Sequence, residues 1–258
     1  LSRVTADPAG TDQPAVTTTD WWKIAAVALM LVDHVGLYFF PDESWWRLIG
    51  RATAPIFFFL VGYATSRRVP WTWLAFGAIL TAIDVAHAED PSDWTINILF
   101  NFALIRWARP HLEAWIGESR MRLVLLMGAL AGLVPLIGDT IEYGTEGWLW
   151  ALYGIHQRRA GERGTMGAAS TRNAVAALAA LVYITTEFFD FGFDLEGAFA
   201  LALIVGVETV LLAGFSRAVS ARQPPAVLRP AIGFIGRHTL ELYALHLLAF
   251  EAITYAVD

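Results

Sequence analysis

Cysteine is absent from this sequence. That excludes disulfides, thiolate nucleophiles and Cys-based metal sites. Lysine is almost absent too, since Lys23 is the only one. No late-helix lysine is therefore available to form a retinal Schiff base. Charge is scarce: Asp, Glu, Lys and Arg make up 16% of the residues, against about 25% in soluble domains. There is no basic block and the net charge is −6, which argues against nucleic-acid binding. The six His are dispersed, and no His-x-x-x-His or carboxylate–His set recurs on one helix, so no metal site is expected.

What the chain has in quantity is apolar sequence. Of its 258 residues 56% are hydrophobic, with eleven Trp, sixteen Phe and seven Tyr, and the mean hydropathy is +0.50. Aromatics collect at membrane interfaces. Apolar runs recur over 22–40, 51–66, 72–88, 95–108, 122–138, 146–156, 173–189, 196–215 and 238–257. The fold expected is an all-α integral membrane protein, a polytopic bundle of about nine transmembrane helices (eight to ten by the same runs). Residues 1–20, rich in Thr, Asp and Pro, lack the pattern of a signal peptide and read as a disordered tail. Residues 21–258 read as one transmembrane domain.

The loops carry a second pattern. Of eighteen Lys and Arg, fourteen fall in alternate loops: Arg67 and Arg68; Arg106, Arg109, Arg120 and Arg122; Arg158, Arg159, Arg163 and Arg172; Arg217, Arg222, Arg229 and Arg237. The intervening loops carry acids instead, among them Glu89, Glu142, Glu146, Glu187 and Asp190. By the positive-inside rule the basic loops and the N-terminus are cytoplasmic, and nine spans put the C-terminus outside. Arg47 and Arg51 break the bias, on the side that should lack them. Either they snorkel to the interface, or they pair with buried carboxylates or a substrate anion.

Ionisable groups inside spans are costly and mark functional sites. In ALMLVDHVGLYFF, Asp33 and His34 lie in the outer half of the first span. Adjacent helical residues diverge by about 100°, so one can pair with Arg51 or Arg47 while the other faces a cavity. A neutral His34 bonded to a neighbouring helix is the alternative. In GRATAPIFFFLVGY, Pro55 removes the hydrogen bond to the Arg51 carbonyl and kinks the helix there. Asn97 and Asn101 share a face as i,i+4 neighbours, as interhelical glue or as cavity lining. Asp84 and His87 read as a solvated pair at an outer helix end. In GRHTLELYALHLLAF, Thr239, Tyr243 and His246 share one face, and Glu241 sits four residues from Arg237, as an ion pair would. A His base with Arg and Asn to stabilise negative charge suits acyl transfer. It also suits the proton relay of a transporter, although no two-fold hydropathy repeat is visible.

These segments resemble the TraX family, named for a conjugation protein that acetylates the N-terminus of pilin. The resemblance rests on Asp33, His34 and Gly36; on Gly50, Arg51 and Pro55; and on Tyr243 and His246, with weaker matches at Asn97, Tyr143 and Gly147. It runs from about residue 21 to 255. It implies an acetyltransferase of the bacterial inner membrane that draws acetyl-CoA from the cytoplasm. The acceptor would be an amine or hydroxyl at or beyond the membrane: a peptide N-terminus, a sugar or a lipid headgroup. His34, Asp33 and His246 are then the expected catalytic residues. Arg47, Arg51, Asn97, Asn101, Tyr143 and Tyr243 are expected to bind donor or acceptor. Arg67, Arg68, Arg106 and Arg109 stand near the early spans, where coenzyme A phosphates would enter. The alternative function is a proton-coupled small-molecule transporter using Asp33 and His34.

Overall fold

The computed structural model describes residues 15–90 and 94–257. Each of the nine apolar runs overlaps a helix: α1 (Thr18–Phe39), α3 (Thr53–Tyr63), α4 (Trp71–His87), α5 (Ile98–Ile116), α6 (Arg120–Ile137), α7 (Glu146–Arg163), α8 (Met166–Phe191), α9 (Leu195–Ala213) and α11 (Thr239–Val257). Two further helices occupy what reads as loop sequence, α2 (Ser44–Gly50) and α10 (Arg229–Arg237).

Among the described residues four helices are long and apolar enough to cross a membrane, namely α1, α6, α8 and α9. The chain is an all-α, multi-span membrane protein, but the expected count of about nine spans is not met on that measure. Helix α3 has 11 residues, about 16 Å at 1.5 Å per residue, roughly half of the ~30 Å hydrocarbon layer. Helix α4 has 17 residues. Helices α5, α7 and α11 interrupt their apolar runs with Asn, Arg, Glu and His.

The reason lies in what covers the short helices. All residues of α3 from Ala54 to Gly62 are buried, and α7 buries nearly everything from Glu146 to Gln157. These two helices pack against each other at the centre, so protein rather than lipid satisfies their polar groups. Their backbones touch. A Cβ on Gly62 would overlap the Ala151 carbonyl, and one on Gly154 the Phe59 carbonyl, which is the role small residues play at membrane helix crossings. Around them α6, α8 and α9 turn apolar side chains outward, including Leu125, Leu136, Leu181, Phe199, Leu203 and Val210.

Residues 15–20 depart from the expected tail. Thr17 and Asp20 form a capping box at the start of α1, which satisfies two backbone donors that the helix leaves open. Val16 is buried, and Thr17 bridges to Val219. Residues 1–14 lie outside the described residues. At this end of the bundle Arg163 also pairs with Glu118. At the other end, where the connections are acidic, Ile96 bridges to Ile141 and His87 lies 4.0 Å from Glu251.

Candidate active site

Near the acidic end of α1, Asp33 and His34 point apart, as the helix turn requires. Asp33 faces α2. Gly50 makes this approach possible, because a Cβ there would overlap the Asp33 side chain, and Gly36 likewise leaves room for Trp46. Arg51 Nη2 donates to both Asp33 oxygens, at 2.6 and 2.7 Å. Arg47 Nη1 adds a contact of 2.9 Å. Arg51 also reaches Glu187 Oε2 on α8 at 3.3 Å and lies over the Phe191 ring at 4.5 Å. The two arginines of the first connection thus pair with buried carboxylates.

The chain breaks between α2 and α3 at Arg51 and Ala52. Pro55 cannot donate to the Arg51 carbonyl. The Tyr183 hydroxyl takes that place at 2.6 Å, so the freed acceptor is satisfied in a buried setting.

His34 faces α11. Its Nδ1 lies 2.8 Å from the Met30 carbonyl. A carbonyl only accepts, so Nδ1 carries the proton and the neutral ring keeps its lone pair on Nε2. The His246 ring packs edge-on at 4.8 Å and Tyr243 at 6.1 Å. Tyr243 is held by Asn97 Nδ2, which donates to its oxygen at 2.9 Å. Asn97 Oδ1 in turn accepts from the Leu99 amide and caps α5. The hydroxyl proton of Tyr243 is therefore not used toward Asn97. Asn101 has a different task. Its amide donates to the carbonyls of Glu142 and Gly144 at 3.0 and 2.9 Å, and it accepts from Trp148. It fixes the connection between α6 and α7, in which Tyr143 adopts a left-handed φ of 58°.

These groups surround a cavity of about 530 Å³, within the usual size of small-molecule sites. His34, Asp33, Arg47, Arg51, Asn97, Tyr143 and Tyr243 line it; His246 and Asn101 do not. His246 stands behind His34, and Asn101 braces the wall. Asp84 lines the cavity as well, instead of forming only a solvated pair with His87. Glu241 accepts from Thr72 at 3.2 Å, and the ion pair with Arg237 expected from spacing is not formed among the described residues. Glu187, Tyr183 and Glu146 belong to the site or its bracing and are not marked as such by the sequence. The available signal was the i,i+4 spacing of Tyr183 and Glu187, which places them on one helix face.

Glu142, in the connection outside the helices, accepts from the Ile98 amide at 3.0 Å. Burial there pushes its carboxyl up from 4.5 to about 7, because the charged form loses its water. A raised carboxyl favours the fold while protonated. Its contribution is fully present below about 4.5 and is lost as pH rises through about 7. The detergent-solubilised protein should therefore melt at a lower temperature as pH rises across that window, and Glu142→Gln should flatten this slope. Parallel pH curves for the two proteins would remove Glu142 as the cause.

The sequence profile described as TraX protein matches residues 18–254. Protein TraX of Escherichia coli is 32% identical over 150 residues, covering 55% of this chain and 56% of that protein. An uncharacterized protein of Rickettsia prowazekii (strain Madrid E) is 38% identical over 61 residues, covering 24% of this chain and 25% of that protein. The chain thus spans a quarter to about half the length of these curated relatives. No solved structure matches. The residues that line the cavity, from Met30 to Glu251, all fall inside the profile match, and the chain belongs to the TraX family.

Proposed function

We propose that this chain is an integral-membrane acetyltransferase in which His34 is the general base. The observation that carries the reading is that His34 lines a cavity within a TraX-family chain. The acceptor is an amine or hydroxyl, and the donor is acetyl-CoA, whose thioester supplies the acetyl group. As the acceptor nitrogen or oxygen bonds to the thioester carbonyl carbon, its proton passes to His34 Nε2. The carbon–sulfur bond breaks, and the departing thiolate recovers the proton from His34. The Tyr243 hydroxyl and the outer N–H groups of Arg47 are the donors available for the developing oxyanion. Asp33 and Arg51 position α1, and so aim His34. His246 supports the His34 ring without touching substrate.

The test is transfer of labelled acetyl from acetyl-CoA to a small amine or hydroxyl acceptor by the purified protein, together with the His34 variant discussed below. Proton-driven solute uptake by the reconstituted protein, without acetyl transfer, would replace this reading with a transporter.

The orientation proposed places the N-terminus and the basic end in the cytoplasm of a bacterial inner membrane. In it the nine helices of the apolar runs form the bundle, the short α3 and α7 crossing within protein. A reporter fused after residue 258 should then be active only on the outer side. Cytoplasmic reporter activity would overturn the arrangement.

A further inference from the structure

A second cavity, of about 710 Å³, opens at the basic end. Lys23 of α1, Arg106 of α5, Arg217, and Arg229 and Arg237 of α10 line it, against two carboxylates, Asp20 and Glu241. Both carboxylates already accept hydrogen bonds, Asp20 from Thr17 and Glu241 from Thr72. Five other arginines of this end are engaged elsewhere. Arg109, Arg158 and Arg159 surround Glu113, Arg163 holds Glu118, and Arg172 bonds Asn173 and the Ala213 carbonyl. By contrast Lys23, Arg106, Arg217 and Arg237 enter none of the ion pairs among the described residues, although Lys23 Nζ donates to the Gly236 carbonyl. Arg106 packs over Trp73 at 4.7 Å, and its Nε is buried with no hydrogen-bond partner. A concave site with surplus cations and an unsatisfied guanidinium nitrogen suits a polyphosphate.

The two cavities share one wall. Phe57, Phe102 and Leu240 line both, and the Phe57 and Phe102 rings meet edge-on at 6.2 Å. A ligand anchored by phosphates at the basic end would have to pass this apolar partition to present a reactive group to His34.

We propose that the basic cavity is the donor site: Lys23, Arg106, Arg217, Arg229 and Arg237 hold the ribose phosphate and pyrophosphate of coenzyme A. The Phe57–Phe102–Leu240 partition is the passage for its thioester arm. This rests on the acetyltransferase reading above. It replaces Arg67, Arg68 and Arg109 of the expected donor group and keeps Arg106. The Arg109 guanidinium is bound to the carbonyls of Thr65 and Ser66.

The experiment is calorimetric binding of coenzyme A itself to the purified full chain in detergent, with inorganic phosphate and anionic lipid as competitors. Arg217 and Arg237 are exposed, so Arg217→Gln with Arg237→Gln should leave the fold intact. That double variant should weaken coenzyme A binding by about tenfold or more and reduce its salt dependence, while His34→Ala binds as the wild type does. Leu240→Trp should keep binding but lose transfer. Unchanged coenzyme A affinity in the double variant would overturn the site, as would complete displacement of coenzyme A by lipid but not by phosphate. If the wild type transfers acetyl and the double variant keeps its KM for acetyl-CoA, the site is wrong and the enzyme reading stands. If the wild type neither binds coenzyme A nor transfers acetyl, the enzyme reading itself falls.

Discussion

His34→Ala should lower acetyl transfer by about 10²–10⁴-fold, the usual contribution of a positioned general base, which corresponds to roughly 3–5 kcal/mol of barrier. The fold should survive the change. His34 is only half-buried, and its Nδ1 bonds a carbonyl of its own helix, four residues back. That carbonyl keeps its backbone partner when the ring is gone. No ion pair among the described residues depends on His34. The loss should therefore appear in kcat with a normal melting temperature and unchanged coenzyme A binding. His34→Gln, which fills the space without a basic nitrogen, should be as inactive as His34→Ala. His246→Ala should cost less, because His246 is in ring contact with His34 but does not line the cavity. Full activity in folded His34→Ala would remove the proposed base, and equal losses in both His variants would argue for a structural pair.

What the sequence made legible was local. The apolar runs placed nine helices because periodicity and length act within one segment. They missed α2 and α10, which at 7 and 9 residues are too short for such a signal. They overstated α3, whose 11 residues looked long enough only with the flanking Arg51, Ala52 and Ala64–Ser66 included. Within the site, Asp33 against Arg47 and Arg51 was foreseeable, since 14 and 18 residues separate them in adjacent segments. The Arg51 contacts to Tyr183 and Glu187 span 132 and 136 residues, and no spacing rule reaches that far. The same limit applied to the arginines of the basic loops. Their number gave an orientation, but which were paired and which faced a cavity depended on Glu113 and Glu118, residues of another helix and its end.

Arg51→Ala should be the most destabilising single change near the site, by about 3–5 kcal/mol, the cost of breaking a buried pair on one side only. Arg51 is 5% exposed and Glu187 3%. Removing the guanidinium leaves Asp33 with Arg47 at 2.9 Å, but Glu187 loses the ion pair it makes with Arg51. The Phe191 ring also loses the cation above it. Lysine should not rescue the site, because Arg51 holds Asp33 with Nη2 and Glu187 with Nη1, and an ammonium has no second nitrogen to divide between them. The informative comparison is Arg51→Met with Glu187→Leu. That pair removes both buried charges and leaves Asp33 to Arg47, so it should be more stable than Arg51→Ala alone, with a coupling energy outside the additive range. Thermal melting in detergent reads both effects. A double variant that is less stable than the sum of the two single changes would mean that the Asp33–Arg51–Glu187 triad holds the α2–α3 break together by more than charge compensation. An Arg51→Ala protein that melts with the wild type would remove the triad as the support of α1. If the triad does brace α1, Arg51→Met with Glu187→Leu should still lose acetyl transfer while it stays folded, because Asp33 then sets the direction of His34 with one arginine instead of two.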